Sequence, residues 1–338
     1  MLCAVVLSYR IEFFTRWPIT LSNRSRISAV TLILIIVGGI PVFAQTPATT
    51  GGFQPDRAMK YLTTVCAFGP RPSGSVGMRQ QRDWLVSHFE KLGATVRRQE
   101  FRIRHPYSGE PVSLANLIIT WHPDRSERVL FAAHYDTRPF PDEELSLRLR
   151  RGLFIGANDG ASGVAFLCEF GNMMRNYRGK YGVDFIFFDG EEFVFGTPRD
   201  QYFLGSTHFA RAYSSEARSI LYRAGILVDM IGDADLQIYK EKASVRYAPD
   251  LVRDIWQIAE ELKVTAFRSR VRHQVRDDHL PLNQIARIPT IDIIDFDYPK
   301  PGSRRSYWHT QADTPDKCSG ESLALVGKVL WTWLTRIR

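Results

Sequence analysis

The run Gly182-Val183-Asp184-Phe185-Ile186-Phe187-Phe188 passes without transition into Asp189-Gly190-Glu191-Glu192-Phe193. β-Branched and aromatic side chains at that density read as a strand buried on both faces, the kind found in sheets covered by helices on each side. Carboxylates at its C-terminal end put charge where open α/β sheets carry their ligand crevice. Adjacent carboxylates repel, so Glu191 and Glu192 together require compensation. One can bind a metal while the other, unligated and close by, serves as a general base. The ordinary alternative is a solvated acidic turn at a strand end.

The rest of the chain alternates in the same way. Helices are predicted from Pro55 to about Phe68, from the Gly/Pro/Ser-rich break at 69–75 to Leu92, after Asp159 to about Met174, over Gly205–Tyr213, over Pro249–Leu262 and over Ser319–Ile337. Strands are predicted at Thr95–Arg102, Leu114–Trp121, Arg128–Ala133, Gly225–Met230 and Thr290–Asp295, with a charged loop from Pro139 to Arg151. This order predicts a single-domain α/β/α sandwich with a mixed, mostly parallel central sheet and helices on both faces.

With 338 residues and 44% hydrophobic content, the chain is long and apolar enough for a sizeable core. Residues Ile27 to Ile40 are almost wholly apolar, preceded by Arg24 and Arg26 and followed by Val42-Phe43-Ala44. That is a secretory signal pattern with cleavage after Ala44; an uncleaved membrane anchor is the alternative. The expected organisation is a presegment at 1–44, a Thr/Pro/Gly linker at 45–54 and one catalytic domain at 55–338. The formal net charge of +8 falls to about +5 without the presegment, which carries four Arg and one Glu. The basic residues are scattered, which suits solubility and anionic surfaces and argues against nucleic-acid binding. Beyond Cys3, the cysteines Cys66, Cys168 and Cys318 show no metal-ligand spacing. Cys168 falls on an apolar helix face, and export would permit a Cys66–Cys318 disulfide.

Five strand-end positions carry metal-ligand types: His134, Asp159, Glu192, Asp229 and His309. Two imidazoles and three carboxylates suit zinc, which keeps a coordination position open for substrate when it is catalytic. Asp136, two residues after His134, is placed to orient that ring from behind. Singly, each has an ordinary reading. His134 could be a hydrogen-bonded core histidine, Asp159 a helix N-cap, Trp308-His309 packing beside a loop, and Asp277-Asp278-His279 a solvated turn. Asp229 is harder to dismiss, because a carboxylate inside an apolar strand must be paired or ligated.

Taken in order, these motifs resemble the M28 zinc-peptidase family across nearly all of residues 55–338. The resemblance implies a zinc aminopeptidase-like fold and, in a peptidase, two zinc ions bridged by Asp159. His134 and Asp229 would complete one site, Glu192 and His309 the other, with Glu191 as the base for water. Within that family the chain is most similar to the glutaminyl-peptide cyclotransferases. The segments that carry this are His134-Tyr135-Asp136-Thr137, Gly156-Ala157-Asn158-Asp159, Phe187 to Glu192, Leu204-Gly205-Ser206-Thr207-His208, Asp277-Asp278-His279-Leu280-Pro281 and Trp308-His309-Thr310.

That closer resemblance implies one zinc on Asp159, Glu192 and His309, and Glu191 as the catalytic acid–base. Asp229 and Asp277 would share an acidic hydrogen-bond network with it, and Trp308 would wall the glutamine pocket. The implied partners are peptides or proteins with a free N-terminus, and the implied location is exported, without stable membrane association once the presegment is removed. The alternative on the same scaffold is an aminopeptidase that hydrolyses N-terminal residues. The chain departs from the cyclase pattern at three places. A Trp is usual after the Glu-Glu pair, where Phe195 is expected to substitute for it in binding substrate; Arg276 replaces the Glu or Gln before Asp277, and the loop before Trp308 is longer.

Overall fold

The computed structural model describes residues 52–215, 219–300, 302 and 306–337. The signal-type segment expected at 1–44, the linker as far as residue 51 and the Arg304-Arg305 pair lie outside the described residues. Helices α1 (Pro55–Cys66) and α2 (Val76–Lys91) lead into β1 (Thr95–Arg104), β2 (Pro111–Trp121) and β3 (Glu127–His134). Then come α3 (Ala161–Met174), β4 (Gly182–Phe188), α4 (Leu204–Ser215), β5 (Leu221–Asp229), β6 (Ile238–Lys240), α5 (Lys242–Tyr247) and α6 (Pro249–Glu261). The chain closes through β7 (Phe267–Val271), α7 (His279–Gln284), β8 (Thr290–Ile294) and α8 (Gly320–Arg336).

Six strands form one sheet in the order β1-β2-β4-β3-β5-β8. β1 and β2 run antiparallel to each other, as do β2 and β4, whereas β4, β3, β5 and β8 pair in parallel. The sheet is therefore mixed and mostly parallel, as expected. Period-two alternation assigns each strand side chain to one of two layers. Ile119, Val129, Phe131, Phe185, Phe187, Ile226 and Val228 pack with residues of α1, α2, α3, α6 and α8. Ile118, Leu130, Ala132, Ile186, Phe188 and Leu227 pack on the other side with Phe209 and Ala210 of α4 and Leu282 of α7. Nearly every residue of α3 is buried, so that helix is covered on all its faces, with its one carboxylate, Glu169, paired to Arg57.

Local chemistry sets the element ends. Pro55 starts α1, where its missing N–H costs no hydrogen bond. Ser75 caps α2 by accepting from the Met78 N–H at 3.0 Å. The short elements β6, β7, α5 and α7 are additions to the expected list. At three to six residues each they are too short to show a hydrophobic period, and β7 exposes four of its five side chains. Cys66, Cys168 and Cys318 are all free thiols, so the disulfide envisaged between Cys66 and Cys318 is not formed. Burial of Cys66 raises its thiol pKa to about 11.

A candidate metal centre at the sheet's carboxyl edge

The parallel register brings the strand ends together: His134 of β3 lies opposite Phe188 of β4, and Asp229 of β5 opposite Ile294 of β8. Gly190, at φ 81°, turns the chain just past β4 so that Glu191 and Glu192 enter the crevice. Asp159 comes from the turn before α3, and a Cβ on the following Gly160 would collide with the His134 ring. His309 arrives from the loop before α8, with its backbone at φ 52°.

Asp159 sits between the two imidazoles. Its Oδ1 is 3.2 Å from His134 Nε2 and its Oδ2 is 3.3 Å from His309 Nε2. His134 Nε2 is also 3.2 Å from Asp229 Oδ1, and His309 Nε2 is 3.2 Å from Glu192 Oε1. Two buried trios result, His134/Asp159/Asp229 and Asp159/Glu192/His309, each with one donor atom per residue inside a 4.8 Å span. Nitrogen and carboxylate oxygen at such spacing, all buried, is a donor set that fits zinc. Three carboxylates in so small a buried volume also need a cation or protons to balance them.

The electrostatics follow from that crowding. Burial alone would raise the Asp159 carboxyl, but hydrogen bonds from both histidine rings hold it below its ordinary range. Burial alone would lower His134, yet Asp159 and Asp229 push it well above the usual histidine value. Glu192 is likewise burdened by burial and is held down by the Arg138 guanidinium, 2.8 Å from its Oε2, and by His309. Glu191, deep in the cleft yet still reached by solvent, is pushed well above the carboxylate range by burial and by Glu192. Burial, then Asp229, does the same to Asp277.

The structure redirects one expected role. Asp136 Oδ1 lies 3.9 Å from His134 Nδ1, beyond hydrogen-bond reach. Its two oxygens instead accept the backbone N–H groups of Glu191 (3.2 Å) and Glu192 (3.0 Å), so it shapes the acidic turn. Asp277-Asp278-His279 is no solvated turn, since all three are buried. Trp308 stacks on the His309 imidazole with ring centroids 3.9 Å apart, whereas Phe195 joins a separate aromatic group with His105, Phe193 and Phe140.

Four supporting residues have no signature in the sequence. Asp142 Oδ1 stands 3.1 Å from His309 Nδ1, behind the ligand face of that ring. Asp313 accepts from the Asn158 N–H at 2.8 Å, the Asp159 N–H at 3.1 Å and the Tyr298 hydroxyl at 3.0 Å, and burial raises its pKa to about 7. Behind Asp277, the His279 ring lies between Glu241 Oε2 at 3.5 Å and Asp292 Oδ2 at 3.8 Å. Only a rule that buried carboxylates need partners could have flagged Asp292, which lies inside β8.

The family model described as peptidase family M28 matches residues 116–334. The chain is 39% identical to a Fimbriiglobus ruber glutaminyl cyclase of known structure, over 85% of this chain and 96% of that one, with a TM-score of 0.80. A Zn-dependent exopeptidase from Parabacteroides distasonis is 32% identical over 85% of this chain and 99% of its own, with a TM-score of 0.77. A glutaminyl-peptide cyclotransferase of Drosophila melanogaster is 23% identical over 283 residues, covering 76% of this chain and 75% of the relative. The chain belongs to peptidase family M28, within which its fold and sequence stand beside the glutaminyl cyclases.

Proposed function

We propose that this protein is an exported, zinc-dependent glutaminyl-peptide cyclotransferase, converting an N-terminal glutamine to pyroglutamate with release of ammonia. The observation that carries the reading is the position of Glu191, a carboxylate in the crevice next to Glu192 that belongs to neither ligand trio. Those three residues would hold the ion, which when bound supplies a Lewis acid to polarise the glutamine γ-carbonyl. Glu191 takes a proton from the substrate α-amine, freeing the nitrogen lone pair to attack the γ-carbon. The C–N bond to the side-chain amide nitrogen then breaks, and Glu191 returns the proton to the departing ammonia. A carboxyl that both accepts and gives a proton near neutral pH needs a raised pKa, which burial and its acidic neighbours supply. Asp277 adds to the negative charge around Glu191, and with Asp229 it would share an acidic hydrogen-bond network with that carboxyl once substrate is bound. Trp308, fixed against His309, walls the glutamine side chain. The signal-type presegment supports export, and no helix among the described residues is long and apolar enough to cross a membrane.

The second reading, an aminopeptidase, is favoured by the His134/Asp159/Asp229 trio, which offers a second ion site. Glu191 would then take its proton from water. Mass spectrometry of zinc-loaded protein with a Gln-Phe-Ala peptide separates the two. Loss of one ammonia without chain shortening is expected; release of free glutamine instead makes the chain a peptidase.

A further inference from the structure

The segment from Asp142 to Phe154 is used at its ends and has no role along its length in the chemistry above. At one end Asp142 faces His309 Nδ1 and the Glu143 N–H donates to the His309 carbonyl at 3.2 Å; at the other the Phe154 ring meets the His309 imidazole edge-on at 6.0 Å. Between them Leu145 is 99% exposed, Leu147 78%, Leu149 46% and Leu153 67%. Of the eleven large hydrophobic side chains exposed among the described residues, four fall in these nine positions. Single exposed leucines need no explanation, but a cluster of four on one loop does.

The loop is also held in shape. Gln311 donates from its backbone N–H to Glu144 Oε1 (3.0 Å) and from Nε2 to the Leu149 carbonyl (2.9 Å). Arg150 Nε donates to the Glu144 carbonyl at 2.8 Å, and Leu149–Arg151 form a 3-10 turn. Interleaved with the leucines, Arg148, Arg150 and Arg151 are all exposed. A hydrogen-bonded loop that exposes leucines with arginines among them matches one kind of surface: apolar chains beneath anionic head groups.

We infer that Leu145–Leu153 is a membrane-surface docking loop, in which the leucines enter the acyl boundary of an anionic bilayer and Arg148, Arg150 and Arg151 meet its phosphates. A second copy of the chain is the competing occupant, read by the sedimentation arm of the test below. A folded protein partner needs about 800 Å² per side, more than a single loop of this length offers. Since both loop ends touch His309, docking holds the cleft close to the lipid surface. This contact is peripheral and separate from the presegment.

The test is a lipid titration of the full-length zinc-loaded chain with sedimented vesicles, either 1:1 phosphatidylglycerol–phosphatidylcholine or phosphatidylcholine alone. The presegment is common to all proteins compared and contributes the same factor to each. The expected result is a partition coefficient on anionic vesicles that falls about tenfold in Leu145→Ser/Leu147→Ser and in Arg148→Ser/Arg151→Ser. Turnover of a soluble glutaminyl peptide and zinc content should stay unchanged, which shows both variants folded. Equal partitioning of wild type and folded variants overturns the proposal, as does equal affinity of the wild type for both vesicle types. So does a dimer in sedimentation velocity that the leucine variant alone abolishes, because a second copy then covers the loop.

Discussion

Glu191 and Glu192 adjoin in the chain and diverge in behaviour. Arg138 and His309 hold Glu192 in its charged form, whereas Glu191 faces other acids and is driven towards protonation. Under the proposed function the same crowding suits Glu191 to carry a proton, so its charge would matter to turnover and little to ion binding. Glu191→Gln should cut kcat by about 100- to 10,000-fold, the usual contribution of a general base. Zinc content, read by mass spectrometry of the metal, should remain that of the wild type. Near-normal turnover in that variant would remove Glu191 as the base. His309 shows the opposite dependence. It acts through placement, with Asp142 behind it and Trp308 stacked over it.

At the scale of elements, the turn before α3 is the least self-sufficient part of the site. Asp159 belongs to a segment whose own residues do not fix it. Asp313, more than 150 positions later, takes both the Asn158 and Asp159 N–H groups, and Asn158 Oδ1 accepts from the Gly232 N–H at 2.7 Å. Three loops at the sheet edge are thereby tied into one frame. Asp313→Ala should weaken zinc binding by about 10- to 100-fold, as the loss of outer-shell support commonly does. Competition with a chelator would measure this, and unchanged affinity would show that the turn holds without Asp313. The strands β3, β4 and β5 were legible from their apolar runs and polar ends. The grouping behind Asp277 was not, because Glu241, His279 and Asp292 come from the N-cap of α5, from α7 and from β8 and carry no shared spacing.

For the whole molecule, the sheet's two ends do different work. At the carboxyl edge buried charge is concentrated around the candidate cation site. Towards the opposite end, Arg128 and Asp184 form a fully buried two-bond ion pair at 2.7 and 2.9 Å, with the Tyr222 hydroxyl donating to Asp184 at 2.7 Å. Arg128 also donates to the carbonyls of Trp121 and Val183, which joins β2, β3 and β4. Arg128→Met would leave the Asp184 carboxylate buried and unpaired, costing about 3–5 kcal/mol of stability in urea unfolding. A loss under 1 kcal/mol would mean that Tyr222 and water suffice for Asp184.

By itself the sequence determined the alternation of strands and helices and the residue types at each strand end, because burial pattern and turn chemistry are local properties. Membership among zinc enzymes was readable for the same reason: ligand types and their order survive in one dimension. Tertiary structure alone decided that Asp136 braces the acidic turn, that Asp142 and Asp313 support His309 and Asp159, and that Leu145, Leu147, Leu149 and Leu153 stay exposed on a loop whose ends pack on His309. Those roles depend on which distant backbone groups need a partner once packing has excluded water. That demand exists only after the chain has folded.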